Sequence, residues 1–195
     1  MAENRSSLIY FLKESHLVLD ASAKRIAESF QFIHLKKNDY LLKEGKICND
    51  YFFLERGCMR AYTFDSKGAE VTTWFAYSNQ VVFEVASFFQ RKPSKENIQA
   101  LTDCLGWYCN FDQLQTLFHT SPEFREFGRM ILVRNMVALK EKMLSMINLT
   151  AEERYESLIQ SEQEIFQYAS LKHIASYLGI TDTSLSRIRK EITKK

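Results

Sequence analysis

The pattern of apolar and polar positions changes character near Gly106. Before it, short apolar and aromatic stretches alternate with turn signals. After it, glycine and proline become rare and the apolar spacing turns helical, so a β-rich half precedes an α-rich half. Residues 8–31 read as one or two short helices, and strands begin at Phe32. A turn at Lys36 to Asp39 leads into Tyr40 to Leu42, which Glu44-Gly45 closes. Tyr51 to Leu54 is turned by Glu55-Arg56-Gly57. The alternating run Met59 to Phe64 meets Val71 to Phe75 across the loop Asp65-Ser66-Lys67-Gly68, where glycine can take a positive φ. Val81 to Phe83, Ile98 to Leu101 and Trp107-Tyr108 complete the series. At least seven short strands with hairpin turns predict a compact antiparallel sandwich or barrel.

The helical half opens with a short helix, Asp112 to Phe118. Ser121-Pro122-Glu123 then supplies an N-cap, a proline at the first turn and an acid near the positive end of the dipole. Nothing breaks the helix from Phe124 to about Ile147; counted from Pro122 it is roughly 26 residues and about 39 Å at 1.5 Å per residue. Met130, Val133, Val137, Leu144 and Ile147 follow a 3–4 alternation, with Lys140 in one slot; Leu132, Met136, Leu139, Met143 and Met146 follow another. Two seams ask for two partners, and we expect one to pack on the β-rich half and the other on a second copy of the same helix. Met130, Val133, Val137 and Leu144 are the expected dimer contacts. Asn148-Leu149-Thr150 interrupts the run as a hinge, and Thr150 with Glu153 forms a capping box for a helix reaching about Ser161.

Residues 171–190 carry the motif with the clearest chemistry. Ser170 caps a helix of about eight residues, Gly179 stops it in a tight turn, and Asp182 or Thr181 caps the next helix. Ile174, Ala175 and Leu178 form the inner face of the first helix, Ile180 plugs the turn, and Leu185 and Ile188 pack back from the second. Ala175 must be small because the helices cross there. Thr181, Asp182, Thr183, Ser184, Ser186, Arg187, Arg189 and Lys190 are left facing outward or at the start of the second helix. These short polar and long basic groups are the types that reach base edges and phosphates, so the element reads as a DNA-binding helix-turn-helix.

Composition sharpens this picture in a few places. Apolar residues make up 46% of the 195 and aromatics 13%, enough for a packed core. The net charge of +2 says little about partners, but the basic groups are uneven: Arg187 to Lys195 holds Arg187, Arg189, Lys190, Lys194 and Lys195 against Glu191 alone. Met1 to Ser7 is polar and charged with no apolar stretch behind it, so no secretory leader is expected. No run long enough to span a membrane exists either. Cys48, Cys58, Cys104 and Cys109 lack the spacing of a zinc site and read as free thiols. No HxH, HExxH, nucleophile elbow or phosphate loop is present, so neither a metal nor an enzymatic function is expected.

With these residues in place, the chain resembles the Crp/Fnr superfamily along nearly all of its length. The order β-roll, long helix, hinge, helix-turn-helix is the same, and Gly45, Gly57 and Gly68 fall where that family's cyclic-nucleotide-binding fold has turn glycines. The runs Ile174 to Thr181 and Ser184 to Lys190, with Pro93-Ser94 and Asn97 to Leu101, resemble the Bacteroidetes-type branch. The resemblance implies an α+β chain in three parts: a double-stranded β-helix (jelly-roll-like) sensor over residues 1–120, a dimerisation helix over 121–148, and a helix-turn-helix domain over 149–195. It also implies a homodimer on double-stranded DNA in the bacterial cytoplasm, with RNA polymerase and a small-molecule effector as candidate partners. An effector would shift the long helices, and the hinge at Asn148, Leu149 and Thr150 would re-aim the reading heads.

Two departures from the family pattern matter. Cyclic-nucleotide-binding members carry Gly-Glu and, about ten residues on, Arg-Ser, the Glu holding the ribose hydroxyl and the Arg the phosphate. Here the first pair aligns with Phe83-Glu84 and the second with Ser94-Lys95, so the guanidinium is absent and Phe83 crowds the site. The hydroxyl pair that meets the purine aligns with Val137-Ala138, which cannot hydrogen-bond through their side chains. Cyclic AMP is therefore not expected as the effector, and no other cofactor is indicated; Glu84, Ser94, Lys95 and Asn97 are the candidate effector-pocket residues. The second departure is that the given sequence ends at Lys195, from which we expect a helix-turn-helix without a full wing and phosphate contacts falling on Arg189, Lys190 and the tail. The competing reading is a ligand-sensing or protein-interaction module with a relict helix-turn-helix.

Overall fold

The computed structural model describes residues 4–14 and 16–192; Lys194 and Lys195 of the basic tail lie outside them. Helices α1 (Ser6–Glu14) and α2 (Asp20–Glu28) precede the strands β1 (Gln31–Leu35), β2 (Tyr40–Leu42), β3 (Asp50–Arg56), β4 (Met59–Phe64), β5 (Glu70–Ala76) and β6 (Gln80–Val82). A short helix α3 (Val85–Gln90) leads to β7 (Asn97–Ala100) and β8 (Cys104–Asn110). The remainder is helical: α4 (Phe111–Thr120), α5 (Pro122–Asn148), α6 (Ala151–Ser161), α7 (Ile165–Tyr168), α8 (Leu171–Tyr177) and α9 (Asp182–Ile192).

The strands form two four-stranded antiparallel sheets, ordered β1-β8-β3-β6 and β2-β7-β4-β5. The architecture is the expected antiparallel roll, followed by a long helix and a helical C-terminal group. The β4–β5 hairpin shows how locally this is encoded. Asp65 Oδ1 accepts from Lys67 N (2.8 Å) and Ala69 N (2.9 Å), Gly68 takes φ +79°, and Gly68 N donates to Asp65 O. The β-to-α boundary falls four residues later than the composition suggests, because β8 continues through the buried Trp107 and Cys109 to Asn110. Asn110 then starts α4 with a capping box to Gln113.

Between the sheets and the first helices lies an aromatic core. Phe11 of α1 stacks on Phe53 of β3 (ring centroids 4.5 Å) and meets Phe127 of α5 edge-on (5.5 Å). Trp107 is buried, and its indole N–H is satisfied by Glu55 Oε2 at 2.7 Å. Gly106 lies in β8 between β1 and β3, opposite Ile33 and Leu54. A Cβ there would stand 2.2 Å from Phe53 O and 2.5 Å from the Phe52 ring, so the strands close only over a hydrogen atom.

α5 runs for 27 residues, with Ser121 Oγ accepting from Phe124 N (3.3 Å) and Pro122 in the first turn. The two seams read from its sequence do not divide between two partners along the whole helix. Its N-terminal part buries Phe124, Phe127, Gly128 and Ile131 on the roll, with Met130 and Leu132 packed beside them. Beyond that the roll ends, and both seams emerge together: Val133, Met136, Val137, Leu139, Met143, Leu144, Met146 and Ile147 are all exposed, Met136 to 73% and Ile147 to 70%. No helix of the described residues is long and apolar enough to cross a membrane.

Candidate nucleic-acid interface and effector site

The C-terminal helices build the expected crossing. Ser170 Oγ accepts from His173 N to start α8, Gly179 ends it with φ +70°, and Ile180 N donates back to Ala175 O. Thr181 is the cap of α9, its Oγ1 accepting from Ser184 N at 3.2 Å, while Asp182 sits inside the first turn. Ile174, Ala175 and Leu185 are fully buried, with Leu178 and Ile188 nearly so. On the opposite side of α9, Asp182, Thr183, Ser186, Arg187, Arg189 and Lys190 are exposed and Ser184 is half-buried. Thr181, Asp182 and Thr183 cluster at the start of the helix, Thr181 Oγ1 lying 2.9 Å from both Thr183 Oγ1 and Ser184 Oγ.

Two residues position this head without having stood out in the sequence. Arg154 of α6 donates to Leu178 O from Nε (3.2 Å) and Nη2 (3.1 Å), and to Leu149 O from Nη1 (2.7 Å). It thereby ties the C-cap carbonyl of α8 to the hinge, next to the Thr150–Glu153 capping box that starts α6. Arg154→Ala is expected to lower stability by about 1–3 kcal/mol, the range for removing a charged donor from half-buried carbonyls, read as a shift of the denaturant midpoint. An unchanged midpoint would remove Arg154 from this role. The second residue is Ser176, whose Oγ accepts from Thr72 N (3.2 Å) and donates to Thr72 Oγ1 (2.8 Å). Through it α8 docks on β5 of the same chain. Phe75 meets Tyr177 (5.2 Å), Tyr77 donates to Glu162 Oε2 (3.0 Å), and Cys58, Phe75, Tyr77 and Leu101 share one apolar cluster with the head.

Lys142 of α5 closes this junction. Its Nζ donates to Thr73 O (2.7 Å) and lies 3.4 Å from the centre of the Tyr177 ring, and burial pulls its pKa down to about 8. The long helix, β5 and α8 therefore meet at a single ammonium group.

The candidate effector residues sit on the α3–β7 segment, and most of their polar atoms are engaged within the protein. Glu84 is the N-cap of α3, with Oε1 accepting from Ala86 N (3.0 Å) and Oε2 from Ser87 N (2.6 Å). Ser94 is buried, its Oγ bonded to Glu96 O and N. Asn97 is buried and its Oδ1 accepts from Glu44 N (3.0 Å). Lys95 is exposed; its carbonyl accepts from Thr63 Oγ1. Phe83 points into an aromatic cluster with Tyr51 (5.0 Å), Phe88 (5.4 Å) and Phe89 (6.1 Å). The guanidinium nearest in sequence, Arg91, bonds Cys48 O, Phe88 O and Asn49 Oδ1 and lies over the Phe111 ring, so it braces the loop. Val137 and Ala138 are exposed on α5.

All four cysteines are buried free thiols, and burial pushes Cys48 up to about 11 and Cys58 up to about 12. Among the described residues no group of three or more His, Cys, Asp or Glu side chains is arranged to hold a metal ion.

The fold is thus a β-roll with a capped helix at one edge, continued by a long helix into a C-terminal pair of crossed helices. Residues 32–121 match the cyclic nucleotide-binding domain family. The full fold is similar to FixK2 from Bradyrhizobium japonicum, at 16% identity over 85% of this chain and 85% of that one, TM-score 0.72. It is also similar to the c-di-GMP responsive global regulator CLP of Xanthomonas campestris, at 16% identity over 88% of this chain and 90% of that one, TM-score 0.70. A third likeness is a transcriptional regulator described as of the crp/fnr family from Eubacterium rectale, at 14% identity over 94% of this chain and 88% of that one, TM-score 0.72. No curated protein matches the sequence. The chain thus carries a cyclic nucleotide-binding domain over residues 32–121 and has the fold of the Crp/Fnr regulators.

Proposed function

We propose that the chain is a homodimeric, sequence-specific DNA-binding transcription regulator of the bacterial cytoplasm, controlled by an effector other than cyclic AMP or by none. The observation that carries this reading is the outer face of α9: a polar and basic row from Thr181 to Lys190, exposed above a crossing buried at Ala175. Residues 1–120 are the sensor, 121–148 the dimerisation helix and 149–195 the reader, with Asn148, Leu149 and Thr150 as hinge. The exposed seams of α5 support the dimer, in which Val133, Val137 and Leu144 meet their copies and Met130 lies where the helix leaves the roll. Two recognition helices would then enter successive major grooves about 34 Å apart, with RNA polymerase as the partner such a regulator acts through. The engagement of Glu84, Ser94 and Asn97 by backbone groups of the roll, with Val137-Ala138 on the helix, supports an effector unlike a cyclic nucleotide, read from the same edge of the roll beside Lys95.

Mobility shift on selected genomic fragments at two salt concentrations tests this. A regulator selects fragments and loses affinity steeply with salt. Arg187→Ala is expected to weaken specific binding by about 1–3 kcal/mol, roughly 5- to 150-fold, if Arg187 reads a base edge. Lys190→Ala should instead weaken all sequences alike and reduce the salt slope by about 1. No selectivity among fragments, or an Arg187→Ala chain that binds like the parent, would leave the competing reading of a sensing module with a relict reader.

A further inference from the structure

Beneath α8, on the outer face of the β2-β7-β4-β5 sheet, lies a polar cluster that neither DNA reading nor the effector edge uses. Arg60 of β4 is a charged side chain only 2% exposed. Its Nη2 pairs with Glu70 Oε2 of β5 at 2.5 Å, and its plane lies 4.1 Å from the Tyr62 ring. Nε and Nη1 of the same guanidinium are buried without a hydrogen-bond partner among the described residues, and so is Nδ1 of His173 on α8. Buried polar groups left unbonded forfeit their hydration without a replacement and so oppose burial. The docked position of the head is thus held by Ser176, Tyr177 and Glu162 at one end and weakened at the His173 end.

We infer that His173 is an acid-sensitive latch: the reading head stays docked on the sensor sheet while the imidazole is neutral and is released when it takes a proton beside Arg60. The charges that act on the ring are Arg60 of β4, Glu70 of β5 and Lys172 beside it on α8; Tyr62, bonded to Tyr40 of β2, lies under the guanidinium. At the far end of α8 stand Lys142, Glu162, Glu96 and Tyr77, around Tyr177. Burial first, and Arg60 second, hold the His173 pKa below its ordinary value, with Glu70 opposing and Lys172 adding to the effect. In the released head the ring regains water and an ordinary value near 6.5. The open form therefore binds more protons as pH falls through that value, so docking is fully present above it and lost progressively below it. Lys142 remains a cation throughout that range and does not compete as the cause.

Only the consequence for DNA rests on the reading of α9 given above; the latch is tested without DNA, so the two fail separately. Hydrogen exchange of the full chain, corrected for intrinsic rates, is followed between pH 7 and 5. Protection across β5 and α8 should drop with acid in the parent and stay level in His173→Gln, where the titration of Glu96 is retained. A second measurement needs no change at the latch. His16, His34 and His119 are all exposed, so replacing these three with asparagine leaves one ring whose NMR titration can be read directly. A midpoint below the ordinary histidine value near 6.5 supports the latch. An ordinary or raised midpoint, or the same loss of protection in His173→Gln as in the parent, overturns it.

Discussion

Gly106→Ala is expected to cost about 3 kcal/mol or more, the upper range for overpacking a filled core, and at roughly 2–4 °C per kcal/mol for a chain of this size to lower the melting temperature by roughly 6–12 °C. The cause is geometric. The added methyl would stand 2.2 Å from Phe53 O, a backbone atom fixed in the β3–β8 ladder, and 2.5 Å from the buried Phe52 ring. Neither can retreat without parting the strands on which Trp107 and Phe53 are packed. Gly68→Asn makes a matched control, since that hairpin position has open space and a backbone asparagine tolerates. Calorimetry on both chains checks the contrast; equal melting temperatures for Gly106→Ala and the parent would show the β8 ladder to be far more pliable than this packing allows.

The second large effect concerns assembly. Val137→Glu with Leu144→Glu places two carboxylates per chain on the apolar stripe of α5. Both positions are about half exposed in the single chain, so the fold itself should be barely touched. Facing the same groups on a second copy, the charges repel and their desolvation is uncompensated. Light scattering should then report the mass of one chain, and affinity for a two-half-site operator should fall by about 100-fold or more, because the second half-site no longer binds as an intramolecular event. A double variant that still runs as a dimer would place the contact elsewhere.

Much of this architecture was readable from local signals. The Asp65 to Gly68 turn of the β4–β5 hairpin, the Ser121-Pro122 start of α5, the Thr150–Glu153 box and the Gly179 turn each depend on residues within four positions of one another. α3 escaped notice because Val85 to Gln90 is a six-residue apolar stretch too short to show a period, and the resemblance assigned its cap, Glu84, to a ligand. α7 spans only four residues. At the head, Asp182 and Thr181 could not be separated as caps from sequence, since both residue types accept from backbone N–H groups.

The docking of α8 on the sensor lay beyond sequence reasoning for a different reason. Thr72 and Ser176 are 104 residues apart, and neither carries a pattern that names the other. Arg60 is the clearest case. In an alternating strand an arginine is expected to face water, and here the approach of a distant helix buries it. Along α5, the period was right and the allocation of faces was not, because where the roll stops supporting the helix is a property of the sheets rather than of the helix.

The placement of the four thiols gives this chain a built-in counter. Cys48, Cys104 and Cys109 belong to the core of the roll, whereas Cys58 belongs to the cluster shared with the head. A membrane-permeant maleimide added to the native protein should find none of them at first. Lifting the head alone would uncover one sulfur, while unravelling the roll would uncover all four, so the mass increment on the labelled chain tells which of the two events has taken place.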